Sequence, residues 1–142
     1  MATSDLRHFP ARLSALPDTA MFAQAFCTGN HVARDDSLRL TFIIEELFTN
    51  TVTHGYGGDS DATIHIALSL TDAGVAVVYA DAAPRHDPLA RLADAPTRPT
   101  MPLELRPVGG LGVRLVDAMA ANVRYEYAGG KNRISLTLPF TA

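Results

Sequence analysis

Two polar side chains one turn apart on a predicted helix are the first candidates for chemistry. Glu46 and Asn50 are spaced i, i+4, which places them about 40° apart around a helix, at the border of its apolar stripe. A carboxylate and an amide at the edge of a core are costly unless a partner satisfies them. The amide oxygen of Asn50 is a hard ligand suited to Mg²⁺, and Glu46 could accept a proton from a hydroxyl group or a water molecule. The same spacing also fits an ordinary amphipathic helix whose polar side chains meet water.

Two further features could hold a nucleotide. Gly109-Gly110-Leu111-Gly112 opens a predicted helix, which leaves backbone N–H groups free and lets a phosphate approach closely. Asp81 closes a predicted apolar strand, where its carboxylate could accept a hydrogen bond from an exocyclic amine such as that of adenine. The glycines also fit a hinge, and the aspartate also fits a turn. No Gly-Lys-Ser/Thr follows the glycines and no strand precedes them, so they are neither a Walker loop nor a dinucleotide fingerprint.

The helices and strands that must position these residues follow from the hydrophobic periodicity. Apolar residues at i, i+3, i+4 and i+7 predict a helix from Asp36 or Ser37 to His54. Strict alternation predicts a strand over Thr63–Leu70, and a turn joins it to a second strand over Val75–Ala80. The other predicted elements are an N-terminal edge strand or arm over 6–16, a helix from Asp18, a helix from the glycines through Met119, and a closing hairpin of 123–127 and 134–140. Six of the nine prolines lie between Pro84 and Pro107, which predicts a long irregular loop. This order predicts helices on one face of a mostly antiparallel sheet.

Length and composition limit the class of protein. The 142 residues fit one domain. The 12 basic and 15 acidic residues give a net charge of -3, which offers no broad positive surface to nucleic acid. The single Cys27 cannot form an internal disulfide and fits a reducing compartment. Because no apolar run is long enough for a bilayer and the N-terminus lacks a secretory pattern, we expect a cytoplasmic domain without a membrane partner.

Four sequence segments together resemble one family. The stretch EELFTNTVTHGYG resembles the N box of the GHKL (Bergerat-fold) ATPases, in the form found in RsbW-type anti-sigma factor serine/threonine kinases. DAAPRHDPL, residues 81–89, is similar to the first glycine box of that family, and GGLGVRLVD, residues 109–117, to the second. GGKNRISLTLPF resembles the closing hairpin. The resemblance covers nearly the whole chain, and it implies an α+β two-layer sandwich in which 1–142 form a single ATP-binding domain.

The resemblance implies a role for several residues. Glu46 matches the general base of the family, Asn50 its Mg²⁺ ligand and Asp81 its adenine-binding aspartate. The segment over 90–108 corresponds to the ATP lid. The implied cofactors are ATP and Mg²⁺, and the implied cofactor-binding residues are Asn50, Asp81, Ala83, Gly110, Leu111, Gly112 and Val113.

The resemblance also implies the partners. In the RsbW-type family the phosphate acceptor is a serine or threonine of a STAS-domain anti-anti-sigma factor, and the kinase also sequesters a sigma factor. Many members are homodimers. We therefore expect a STAS-domain protein and a sigma factor as candidate partners, and a homodimer is compatible with this expectation.

Two positions depart from the family pattern. The glycine of the first glycine box falls at Ala83 and the usual phenylalanine falls at His86. If the backbone there is left-handed, alanine costs about 1–2 kcal/mol, which would weaken ATP binding roughly tenfold for each 1.4 kcal/mol. The departure leaves an alternative function: a binding module of the same fold that acts by protein contact alone, with weak or absent ATP turnover. A further alternative is the ATPase domain of a histidine kinase, separated from its phosphoacceptor helix.

Overall fold

Five antiparallel strands form one sheet in the part of the chain that the structure describes. The structure is a computed structural model, and it describes residues 4–88 and 116–141. The strands lie in the spatial order β1-β2-β3-β5-β4, and each neighbouring pair is antiparallel. Their bounds are β1 Ser4–Pro10, β2 Thr63–Leu70, β3 Gly74–Asp81, β4 Ala121–Ala128 and β5 Lys131–Pro139.

Two helices precede β2 in the chain and pack against each other. They are α1 Leu16–Gly29 and α2 Arg34–Asn50. A short 3-10 turn, Leu13–Ala15, leads into α1, and residues 116–119 form a helical turn before β4. No helix in these described ranges is both long enough and apolar enough to cross a membrane.

The core lies between α2 and one face of the sheet. Along β2, β3 and β5 every second side chain is buried, while the side chains between them are largely half-buried or exposed. This alternation is the period-two signature of a sheet that is packed on one face. The buried residues are Ile64, Ile66, Leu68, Val75, Val77, Tyr79, Ile134, Leu136 and Leu138 from the sheet, with Leu40, Ile43, Ile44, Leu47 and Phe48 from α2. The α+β fold with helices against an antiparallel sheet is therefore confirmed.

Most of the predicted elements are present. The strand over Thr63–Leu70 has the predicted bounds, and the closing hairpin turns at Gly129 and Gly130, whose φ values are 61° and 75°. The N-terminal strand lies at the edge of the sheet, as expected. The greater part of the proline-rich loop and the glycine-opened helix lie outside the described residues.

The C-terminal end of α2 differs from the prediction. The sequence predicts an α-helix to His54, but α2 ends at Asn50 and a π-helical turn, Thr51–Gly55, follows it. The Tyr56 N–H donates to the carbonyl oxygen five residues back, at 2.9 Å. The helix is therefore widened directly after Asn50, and such widened turns are frequent at functional sites.

The start of α2 also differs from the prediction. The helix begins at Arg34, two or three residues before the predicted start at Asp36 or Ser37. Asp36 is buried and does not cap the helix, because its Oδ1 accepts hydrogen bonds from the N–H and hydroxyl of Thr141, at 3.2 and 3.0 Å. This carboxylate therefore fastens the end of the chain to α2.

Candidate functional site

Asp81, the last residue of β3, is a buried carboxylate whose two oxygens both have partners. It is 2% exposed. Its Oδ1 accepts hydrogen bonds from Asn132 Nδ2 at 2.9 Å and from the Ala83 N–H at 3.0 Å, and its Oδ2 accepts one from the Thr51 hydroxyl at 3.0 Å. Burial alone raises the pKa of this carboxyl group, but the nearby His86 side chain and the hydrogen bonds from Asn132, Ala83 and Thr51 outweigh burial and lower the pKa below its ordinary value. Asp81 is therefore a fixed negative charge at neutral pH.

A short chain of hydroxyl groups connects Asp81 to the floor of the sheet. The Tyr79 hydroxyl donates to Thr51 Oγ1 at 2.6 Å, and Thr51 Oγ1 in turn lies 3.0 Å from Asp81 Oδ2. Burial raises the pKa of Tyr79 well above its usual range, so this phenol remains a donor. Because Thr51 is the first residue of the π-helical turn, the chain holds the end of α2 against the end of β3.

Two buried polar atoms near Asp81 have no partner. Among the residues that the structure describes, the only buried side-chain nitrogen or oxygen atoms without a hydrogen bond are Asn50 Oδ1 and His86 Nε2. Asn50 is 5% exposed. An unsatisfied buried polar group costs about 1–3 kcal/mol. Such a cost is typical of a site whose polar partner is a ligand.

Both unpartnered atoms belong to residues that line one pocket. The pocket lies between the end of α2 and the ends of β3 and β5. Its lining residues are Leu47, Asn50, Thr51, Tyr79, Asp81, His86, Pro88, Asn132 and Ile134.

Glu46 lies one turn before Asn50 and is partly buried, but it is not among the residues that line the pocket. Burial raises the pKa of its carboxyl group, and the negative charge of Glu45 adds to the increase. A raised pKa makes the carboxylate a stronger base near neutral pH.

Comparison with known families decides the classification. The family described as the histidine kinase-like ATPase domain matches residues 9–138. The chain belongs to the histidine kinase-like ATPase domain family. This match confirms the family relationship predicted from the N box and the two glycine boxes.

Solved structures of similar fold extend the comparison with this ATPase family. The structure of the RsbU and RsbW domains of Rv1364c from Mycobacterium tuberculosis is similar at a TM-score of 0.65 and 18% identity, over 97% of this chain and 33% of that one. The SiaB–SiaC complex from Pseudomonas aeruginosa is similar at a TM-score of 0.54 and 11% identity, over 93% of this chain and 87% of that one. The chain thus spans about a third of the length of the first of these structures. No curated protein sequence matches it.

The structure brings together only part of the predicted ATPase site. Asn50 and Asp81 line the same pocket, Ala83 donates its backbone N–H to Asp81, and Glu46 lies one turn away on α2. The remaining predicted cofactor-binding residues lie outside the described residues, namely Gly110, Leu111, Gly112 and Val113. The predicted lid over 90–108 lies outside them as well.

Ala83 carries none of the strain that the family comparison suggested. The non-glycine residues with positive φ in the described ranges are His31 and Asn122. Ala83 is therefore not left-handed, and the cost of 1–2 kcal/mol that a left-handed alanine would carry does not apply. Its methyl group is buried and packs towards Gly55, where an added Cβ would lie 3.2 Å away.

Three contacts of the site could not be recognised in the sequence. Asn132 lies opposite Asp81 in the β3–β5 register, but the two residues are 51 positions apart. Thr51 continues the apolar face of α2 in sequence, and only the π-helical turn aims its hydroxyl at Asp81. Tyr56, in the predicted N box, accepts a hydrogen bond from the Ala82 N–H at 3.2 Å. Tyr56 and Asn132 both lie in segments that resemble the family, the N box and the closing hairpin, but neither segment indicates a contact with the residues around Asp81.

One buried oxygen at the site is of a kind that Mg²⁺ uses. In the described ranges no group of three or more His, Cys, Asp or Glu side chains could hold a metal ion. Mg²⁺ commonly uses one or two protein oxygens and completes its shell with phosphate and water. The unpartnered Oδ1 of Asn50 is an oxygen of that kind.

Proposed function

We propose that the chain is a Mg²⁺- and ATP-dependent serine/threonine-protein kinase of a partner-switching system, which phosphorylates a STAS-type partner and sequesters a sigma factor. The observation that carries the proposal is the pocket that joins a fixed carboxylate, Asp81, to an unpartnered buried amide oxygen, Asn50 Oδ1. The Asp81 carboxylate suits the exocyclic amine of adenine, and Asn50 Oδ1 suits the Mg²⁺ that accompanies a triphosphate.

The roles of the side chains follow from their chemistry. Asp81, held ionised by its donors, would accept a hydrogen bond from the base. Asn50 would hold the metal through Oδ1, and Mg²⁺ would neutralise charge on the transferring phosphoryl group. Glu46 would accept the proton of the attacking hydroxyl, since its raised pKa gives it useful basicity near neutral pH. Phosphoryl transfer needs positioning and charge neutralisation more than covalent chemistry, so these few groups are sufficient.

The protein partner is supported by the comparisons. One similar structure contains RsbU and RsbW domains, and another is a complex of two proteins, SiaB and SiaC. The family match together with these neighbours favours a protein acceptor over a small molecule. A lone, buried, free Cys27 also agrees with a cytoplasmic location.

The test compares two adjacent glutamates. Mg·ATP binding is measured by calorimetry, and phosphotransfer is measured on a purified STAS-domain protein from the same organism. Glu46→Gln should retain ATP binding and lose transfer by about 100-fold or more, as expected for a general base. Glu45→Gln, the matched control, should retain both. Equal transfer by the two variants would remove Glu46 from the reaction, and absence of ATP binding at millimolar concentration would remove the kinase function.

A specific observation keeps the binding-module function as a second candidate. Both oxygens of Asp81 already have protein partners. A domain of this kind could contact its protein partner without nucleotide. Complex formation with the STAS-domain protein at equal affinity with and without Mg·ATP, together with no transfer, would favour this function.

A further inference from the structure

The side chain of His86 lies against Oδ2 of Asp81, the carboxylate oxygen that accepts one hydrogen bond, from Thr51, rather than two. Its Nε2 is 3.6 Å from Asp81 Oδ2, too far for a hydrogen bond and too near for another atom to fit between them. On its other side the ring packs on the π-helical turn, since a Cβ added at Gly55 would lie only 2.9 Å from Nε2. The imidazole therefore fills the gap between the end of α2 and Asp81.

The other oxygen of Asp81 offers no alternative. Oδ1 already accepts two hydrogen bonds, from Asn132 and from the Ala83 N–H. An amine that donates to Oδ2 needs its nitrogen at about 2.9 Å. On the side where His86 lies, a nitrogen at that distance would overlap with the imidazole ring.

The ring is held weakly compared with its backbone. The His86 N–H donates to Asn132 Oδ1 at 3.0 Å, which fixes the backbone. The Nε2 atom has no hydrogen-bond partner, and the side chain as a whole is 20% exposed. A change of side-chain rotamer would thus uncover Asp81 without moving the strand, and it would give up only the 3.6 Å approach of Nε2 to Asp81 Oδ2.

We propose that His86 sets the nucleotide affinity of this domain by covering Asp81 in the nucleotide-free protein, so that a base binds only after the imidazole has been displaced. The proposal rests on the proposed function, because it takes Asp81 as the acceptor for the base. The apparent affinity is reduced by the fraction of molecules in which the ring is displaced, so a ring that covers Asp81 about 90% of the time weakens binding about tenfold.

The first test removes the ring. ATP affinity is measured by calorimetry with Mg²⁺ for the wild type, for His86→Ala and for His8→Ala, a control in which an exposed histidine on β1 is removed. We expect His86→Ala to bind ATP about tenfold more tightly than the wild type, and His8→Ala to be unchanged. If the wild type binds ATP and His86→Ala binds it equally or more weakly, the covering role is wrong while the proposed function stands.

The second test needs no nucleotide and no variant. Diethyl pyrocarbonate modifies accessible imidazole nitrogens, and peptide mass spectrometry gives the rate for each histidine. His86 should react several-fold more slowly than the exposed His8. A rate as fast as that of His8 would overturn the covering role even if no ATP binding were found. If neither the wild type nor His86→Ala binds ATP at millimolar concentration, the proposed function is wrong and so is the effect of His86 on nucleotide affinity. Slow modification of His86 would then show only that the imidazole is covered.

Discussion

Replacement of Asn132 by alanine should lower the stability of the folded protein, because Asn132 connects the elements around the candidate site. Asn132 is 3% exposed, and its amide nitrogen donates to Asp81 Oδ1 at 2.9 Å and to the Ala83 carbonyl oxygen at 3.0 Å. Its amide oxygen accepts hydrogen bonds from the His86 N–H at 3.0 Å and the Tyr125 hydroxyl at 2.6 Å. One side chain thus joins β3, β4, β5 and the segment after β3.

The magnitude follows from these contacts. A hydrogen bond to a charged group contributes about 1.5–3 kcal/mol and a neutral one about 1 kcal/mol, and truncation also leaves buried groups unpaired. We therefore expect Asn132→Ala to lower the free energy of unfolding by about 3–5 kcal/mol. For a domain of this size, that loss corresponds to a decrease in Tm of about 10–15 °C.

The assay is urea unfolding at several pH values, with Ser135→Ala as control. Ser135 lies on the same strand but on the opposite face, and its replacement should change stability by about 0.5 kcal/mol or less. Because the pKa of folded Asp81 lies below its ordinary value of 3.8, its stabilising contribution is present above about pH 4 and is lost as the pH falls through the folded-state pKa. Asn132→Ala raises that pKa, so the difference from wild type should shrink below about pH 4. If Asn132→Ala lowers the free energy of unfolding by less than about 1 kcal/mol at pH 7, Asn132 does not hold the site together.

Three further substitutions test the groups around the pocket. Asn50→Ala should abolish Mg·ATP affinity in calorimetry yet leave the Tm unchanged or higher, because Oδ1 has no protein partner to lose; unchanged ATP affinity would exclude Asn50 from the site. The pKa of Glu46 is raised in the folded protein, so ionisation of this group lowers the stability of the fold as the pH rises from the ordinary pKa through the raised one. Glu46→Gln should therefore raise the free energy of unfolding at pH 7 and not at pH 4. Glu45→Gln is the control, and an equal gain there would contradict the role of burial. Gly55→Ala should push the His86 ring outward, since the new Cβ would lie 2.9 Å from Nε2, and should increase the diethyl pyrocarbonate rate at His86; an unchanged rate would place the ring elsewhere.

Local patterns predicted the elements of the fold well. The strand over Thr63–Leu70 alternates strictly, so its bounds follow from the chain alone. The Gly129-Gly130 turn requires positive φ at both positions, which marks the hairpin without any tertiary information. The helix end was predicted wrongly, because an i, i+4 pattern continues smoothly past Asn50 and gives no sign of the wider turn.

The order of the elements, the family resemblance and the spacing of Glu46 and Asn50 on one helix can be read from the chain alone, because they depend on motifs or periods within a few residues. The groups that surround Asp81 become apparent only once the chain is folded. Asn132 reaches it through the pairing of β3 with β5, and His86 through a bend after β3 that returns the chain over its own strand end. Contacts between residues distant in the chain leave no periodic signal, so the partners of a buried carboxylate emerge only when the sheet is assembled.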